Sequence, residues 1–427
     1  MTAVTDAPTR DVGVPADQPE QAASMTRASL LLTGATLLAS ASNYVVNVVL
    51  ARWMAPEEFG DASLIVTLML MVTVVAVALQ LATARWVATS SPIDIESHRR
   101  RLLRQAWLSG TAVALVLVAS SAALRDLTSS ASSVPFVVLA LGLPLYLAQA
   151  VERGVLQGRL RFGALASTFV AEAVSRTLLT VGLVAAGLGV TGAALGLSAS
   201  FATSWLVARR AVPRTIGAPI DLATGGGKDW AEPTDDGPAG IGFATAVLLV
   251  GQIIINNGDV VLAKALFAAD VAGRYAVVAL VGRAVFFLSW SVVTVAFPHA
   301  SRGNDAVGRQ AVRAVAAMST VLTIAVAVAA PPLVPLVFGD AYEAAVPLFG
   351  PYALATSLFA VANVMATLDV AAGRLSGASI VAAGAALQTV LLLARADDAT
   401  TMVHLQVVAM AVVLVAVWLR IRARGAE

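Results

Sequence analysis

The sequence predicts an all-α polytopic membrane protein with about twelve transmembrane helices in two pseudo-symmetric six-helix halves. Three observations lead there. Of the 427 residues, 58% are hydrophobic and only 13% charged, against about 45–50% and about 25% for soluble domains. The apolar residues fall into runs of the length a bilayer demands, about 17–25 residues. Lys and Arg gather in alternate connections between those runs. This excludes an ordinary soluble enzyme, a disordered regulator and a nucleic-acid-binding domain. The pI is near 9.2, but the formal net charge is only +2, so nucleic acid is not an expected partner. There is no cysteine, which removes disulfides, thiolate metal sites and cysteine nucleophiles. His98, His299 and His404 are too scattered for a metal cluster. No cofactor is expected.

Residues 1–27 are polar, lack the pattern of a signal peptide, and read as a disordered cytoplasmic tail. Spans are expected at 28–50, 63–81, 105–124, 134–151, 162–187 and 190–207 in a first half (28–207). A second half (240–420) holds spans at 240–263, 275–297, 312–336, 346–368, 375–393 and 402–419. Gly187, Gly189 and Gly192 divide the fifth span from the sixth. Segment 208–239 mixes Arg209, Arg210 and Arg214 with acids, glycines and prolines, and reads as a flexible cytoplasmic linker. Its TGGGKD lacks the Gly spacing and the strand–helix setting of a phosphate loop. Residues 421–427 form a short basic tail. With a cytoplasmic amino terminus, 21 of the 28 Lys and Arg residues lie on the inner side and five on the outer. Both termini are therefore expected in the cytoplasm of a cell with this protein in its inner or plasma membrane.

The halves resemble each other. VVLARWMAPEEFGDA (48–62) aligns with VVLAKALFAADVAGRY (260–275). Arg52 then matches Lys264, Gly60 matches Gly273, and Asn47 falls opposite Asp259. GRLRFGALAS (158–167) echoes GRLSGAS (373–379). Duplicated halves around a central site are a common transporter plan.

Four ionisable residues lie well inside spans: Glu172, Arg176, Asp259 and Arg283. Each costs about 2.5–3.5 kcal/mol on insertion scales and should face the bundle interior or water. Glu172 and Arg176 are spaced i, i+4 in the favourable order for a pair. Asp259 and Arg283 lie at similar depth on consecutive antiparallel spans and are expected to pair, with Asn256 and Asn257 alongside. These residues are either structural ion pairs or a polar patch for an anionic substrate or coupling cation. Glu152, Arg153, Arg159 and Arg161 cluster at the inner end of spans four and five. They are topology signals or a cytoplasmic vestibule for anionic headgroups. The run His98–Arg104, in the loop before span three, is expected to anchor on anionic lipid. GVLQG (154–158) and GAALG (192–196) are small-xxx-small packing signals. Pro144, Pro331, Pro332, Pro335 and Pro347 are expected to kink or end helices.

LARWMAPEEFGDASL (50–64) followed by ARWVA (84–88) resembles the opening of the polysaccharide-type exporters. NNGDVVLAKALFAADVAGRYAVVALVGRAVFFL (256–288), running on to FPHASR (297–302), resembles the start of their second half. FGDAYEAAVPLF (338–349) resembles their link between spans nine and ten. This is the oligosaccharide flippase family of the multidrug/oligosaccharidyl-lipid/polysaccharide exporter superfamily. The resemblance implies a transporter that moves a lipid-linked oligosaccharide from inner to outer leaflet by alternating access. Its partners would be that glycan substrate, membrane lipid, a coupling cation and glycan-assembly proteins. A cation-coupled antiporter on the same fold is the alternative. Against it, the first span offers Asn43 and Asn47 where the drug-exporting branch carries an acidic site. A membrane-embedded glycan polymerase or ligase is disfavoured, because the outer connections span only about 2–14 residues. The chain is not expected to be an enzyme.

Overall fold

The computed structural model describes residues 18–89, 92–212, 238–300 and 305–424. Most of the expected linker, residues 1–17 of the expected tail and the last three residues lie outside these. Among the described residues there are twelve long helices and no strand. The first half contains α1 (Gln18–Trp53), α2 (Pro56–Thr89), α3 (Pro92–Leu127), α4 (Val134–Gly158), α5 (Phe162–Leu183) and α6 (Gly189–Ala211). The second contains α7 (Pro238–Leu266), α8 (Ala269–Ala300), α9 (Asp305–Phe338), α10 (Val346–Ala371), α11 (Ser376–Arg395) and α12 (Ala399–Arg424). Among the described residues ten stretches, one of them the whole α5–α6 hairpin, are long and apolar enough to cross a membrane.

Local chemistry sets the helix ends. α2 opens on Pro56 with Glu57 and Glu58 in its first turn, where a proline lacks nothing and carboxylates meet the positive end of the helix dipole. α1, α7 and α11 close on Arg52, Lys264 and Arg395, the matching charge for the other end. Asp398 accepts the Thr401 N–H at 2.7 Å and caps α12. That bond holds its carboxyl below the usual range. α5 and α6 are separate helices as expected. A π-turn joins them, with Gly187 at φ 87° and Gly189 at φ 50°, conformations that glycine adopts at no steric cost.

Two expected loops are helical. α1 begins at Gln18 and so takes up the last ten residues of the expected tail, on a run of Gln, Glu and Ala that favours helix. The His98–Arg104 run belongs to α3. There Glu96 pairs with Arg99 at 3.3 Å and with Arg100 at 3.0 Å, one turn apart with the acid first. Pro144 lies inside α4, and Pro331, Pro332 and Pro335 lie inside α9 rather than ending it. Pro347 opens α10 rather than ending a helix.

Each half repeats one packing scheme. α4 packs on α2, α3 and α6, and α5 on α1 and α6; α10 packs on α8, α9 and α12, and α11 on α7 and α12. α4 and α10 are accordingly the most buried spans. Small residues permit the closest crossings. A Cβ on Gly154 would lie 2.5 Å from the Gln80 carbonyl oxygen, and one on Gly158 would lie 2.4 Å from that of Ala84. A Cβ on Gly196 would lie 2.4 Å from Thr180 Oγ1. Both small-xxx-small pairs thus pack against a neighbouring helix, on α2 and α5 respectively.

The halves meet chiefly through α2 against α8 and α7. A Cβ on Gly60 would lie 3.0 Å from Gly273 Cα, so the glycines paired by the internal repeat lie against each other. Phe59 sets its ring edge-on to Tyr342 at 6.2 Å. These contacts close the end that carries the α1–α2 and α7–α8 turns.

Candidate functional site

Deeper along α1 and α2 the halves part around a cavity of about 440 Å³. Its wall comes from α1, α2, α4 and α5, with Leu280 and Arg283 from α8. The charged groups that reach it are Arg153, Glu172, Arg176 and Arg283. Three guanidiniums therefore face one carboxylate.

Glu172 organises the first-half group. It pairs with Arg176, one turn along α5 as the i, i+4 spacing predicts, and with Arg153 of α4 at 2.8 Å. Gln149 Nε2 also donates to it at 3.3 Å. Arg153 is fixed on all sides. It donates to Thr168 Oγ1 at 3.0 Å, to the Thr168 carbonyl at 3.2 Å and to Ser204 Oγ at 2.9 Å. Its guanidinium lies over the Phe169 ring, 4.0 Å from the centroid. Arg176 is held less tightly. Its Nε is buried without a hydrogen-bond partner, and Phe201 lies 5.9 Å away. Asn47 lines the same cavity but turns its amide back to the Asn43 carbonyl at 2.8 Å.

The expected Asp259–Arg283 pair does not form. Arg283 donates from Nε to the Asn256 carbonyl at 3.1 Å and from Nη2 to Thr67 Oγ1 at 3.2 Å. It thereby ties α8 to α7 and, across the halves, to α2. Asp259 is 1% exposed. It accepts from Tyr275 Oη at 2.8 Å, Tyr352 Oη at 2.6 Å and Gln406 Nε2 at 3.2 Å. Uncharged donors thus satisfy one oxygen of this carboxylate, while its Oδ1 is buried without a hydrogen bond. Equal depth on adjacent helices did not determine the facing direction: Asp259 turns into the second half and Arg283 towards the first. Asn256 and Asn257 bond back to the Gln252 and Ile253 carbonyls on their own helix.

The four vestibule candidates do not converge. Glu152 turns to α3 and binds Arg99 at 2.6 Å, while its neighbour Arg153 turns the other way into the cavity. Arg161 donates to the Ala211 carbonyl at 2.6 Å, closing the end of α6. Arg159 caps α4. Sequence reasoning missed Arg153 as a cavity residue, because counting from the helix end placed it at the membrane surface. It also missed Tyr275, Tyr352 and Gln406, whose signal was a polar tip within an apolar span. Among the described residues no cluster of His, Asp and Glu fits a metal ion.

The fold is shared with solved structures. A multidrug resistance MATE family transporter in an inward-facing conformation superimposes with a TM-score of 0.71 at 11% identity, over 91% of this chain and 96% of its own. The lipid II flippase MurJ in an inward closed conformation gives 0.74 at 10% identity, over 92% and 87%. A MOP superfamily transporter from Pyrococcus furiosus, described as having a binding pocket of reverse polarity, gives 0.60 at 13% identity, over 94% and 96%. No curated protein matches the sequence significantly. The chain is a multi-pass membrane protein with the fold of the MOP superfamily, whose members named here are transporters and flippases rather than enzymes. Residues 25–304 match the family described as polysaccharide biosynthesis protein, and the chain belongs to that family.

Proposed function

We propose that this protein flips a lipid-linked oligosaccharide or polysaccharide precursor across the cell membrane, holding the anionic junction between lipid and sugar in the cavity. The observation that carries this reading is the cavity's charge: Arg153, Arg176 and Arg283 against the single Glu172. A phosphate or pyrophosphate group leaving water needs such partners or bears its desolvation cost unpaired. Arg176 is the principal anchor. Its planar guanidinium offers paired hydrogen bonds to phosphate oxygens, and its present partner can be exchanged. Arg283 supplies the contact from the second half. A cavity of about 440 Å³ lies within the range for small-molecule sites and suits the headgroup and its first sugars, with the lipid tail left in the bilayer.

The Lys and Arg distribution supports cytoplasmic termini. The end closed by Gly60 and Gly273 is then the outer one, and the cavity belongs to a state that loads from the cytoplasm. Membership of the polysaccharide biosynthesis family and the fold likeness to a lipid II flippase support the same substrate class. The second reading is a cation-coupled drug or small-molecule antiporter. The MATE neighbours and the buried Asp259 favour it, but a cationic drug would meet a cavity with two excess positive charges. The test is a strain lacking the gene, examined for saccharide accumulating on lipid of the inner leaflet. Accumulation relieved by the intact gene supports flipping. Unchanged lipid-linked saccharide with raised drug sensitivity supports the antiporter.

A further inference from the structure

Arg52 and Lys264 occupy matching places, each in the last turn of the first helix of its half. Each reaches into the opposite half. Lys264 Nζ lies 2.7 Å from Asp61 Oδ1 on α2, with its side chain 1% exposed. Asp61 is itself fixed from its own half, because its Oδ2 accepts the Ala131 N–H at 3.1 Å. Arg52 lies against Gly339 at the end of α9, where a Cβ would fall 2.8 Å from Arg52 Nη1. Gly339 has φ +105°, a backbone conformation that favours glycine. The Gly60–Gly273 crossing lies on the same interface.

We infer that Arg52 and Lys264 are the two arms of a pseudo-symmetric clasp that holds the halves together at this end, and that its release opens the cavity there. The Lys264 arm is the stronger, an ion pair shielded from water. The Arg52 arm is the weaker, an exposed guanidinium against backbone. Opening admits water to the Lys264 arm, so its separated charges become hydrated instead of remaining unpaired in an apolar setting. α2 connects the clasp to the cavity, because Thr67, six residues after Asp61, is the group that holds Arg283 from the first half. An anion that draws Arg283 away loosens the same helix pair. The identification of this end as the outer one rests on the proposed orientation; the clasp itself does not.

The absence of native cysteine makes a direct test available. Ala62→Cys places the only thiol in the closed interface, where Ala62 is 2% exposed. Ser40→Cys places it on the exposed cavity wall. Each is labelled with a membrane-impermeant maleimide in right-side-out and inside-out vesicles. Lys264→Met and Asp61→Asn should each raise outer-face labelling at position 62 about fivefold, the effect of losing ~1 kcal/mol of preference for the closed state. Both should lower inner-face labelling at position 40. Arg52→Gln should do the same to a smaller extent. The exchange Asp61→Lys with Lys264→Asp should restore protection of position 62. Unchanged labelling at position 62 in both Lys264→Met and Asp61→Asn would overturn the clasp, as would a simultaneous rise at both positions, which reports unfolding. If position 62 opens to the inner-face reagent instead, the clasp stands and the assigned orientation is wrong.

Discussion

Arg153 of α4 and Glu172 of α5 form an ion pair of 2.8 Å, and the same carboxylate holds Arg176. Glu172 therefore divides its charge between an arginine fixed by Thr168, Ser204 and Phe169 and one with a free Nε. The consequence is a division of labour. Arg153 positions the carboxylate, and Arg176 is the cation that can change partners when an anion arrives.

That division predicts different phenotypes for two arginines that contact one acid. Arg153→Gln should lower folded, membrane-inserted yield, because it breaks a buried network on one side at a cost of about 3–5 kcal/mol. Arg176→Gln should leave most of the yield intact. The check is detergent-solubilised monodisperse protein for each variant, compared at equal expression. Equal losses would remove the distinction.

Glu172→Gln should release Arg176 to the ligand, while Arg153 keeps its bonds to Thr168 and Ser204. Binding of a short-chain lipid pyrophosphate should tighten, and turnover should slow because the empty site no longer recaptures its cation. Calorimetric affinity and transport rate, measured on one preparation, check the opposed directions.

Asp259 should couple to Tyr352 and not to Arg283. In a double-mutant cycle, Asp259→Asn with Tyr352→Phe should show an interaction of about 0.5–3 kcal/mol, as contacting groups do. Asp259→Asn with Arg283→Gln should add to within about 0.5 kcal/mol, because the two share no hydrogen-bond partner. Thermal stability in one detergent supplies both cycles.

Gly154→Val should cost about 1–3 kcal/mol, the usual penalty for forcing atoms into a packed contact, because α2 lies within 2.5 Å of the added Cβ. Gly163→Ala should be tolerated, since nothing lies within 4 Å of a Cβ there. The melting temperatures of the two variants check the contrast.

Much of this architecture is legible in the sequence because membrane burial writes long apolar runs. The internal repeat was legible through its non-apolar letters. Gly60 and Gly273 aligned because each must let the other half approach, and they meet in the structure. Glu172 and Arg176 were legible because i, i+4 spacing is local. The rest was not local. Arg153 reads as a surface charge until α5 supplies Thr168 and Glu172 beside it. Lys264 reads as a helix-end cation until Asp61, some two hundred residues earlier, folds against it. Asp259 and Arg283 share a depth, but depth along a helix does not fix rotation about its axis, and rotation separated them. The His98–Arg104 run reads as a loop by hydropathy, which registers charge and not the i, i+4 pairs that continue the helix.

The most direct measurement is flipping of a fluorescent lipid-linked oligosaccharide in vesicles reconstituted with equal amounts of wild-type, Arg176→Lys and Arg176→Gln protein. Outer-leaflet arrival should be fast for wild type, reduced but present for Arg176→Lys, and at the protein-free background for Arg176→Gln. Wild-type flipping by Arg176→Gln would contradict the account, because the cavity's principal anchor would then be dispensable for moving the anionic junction.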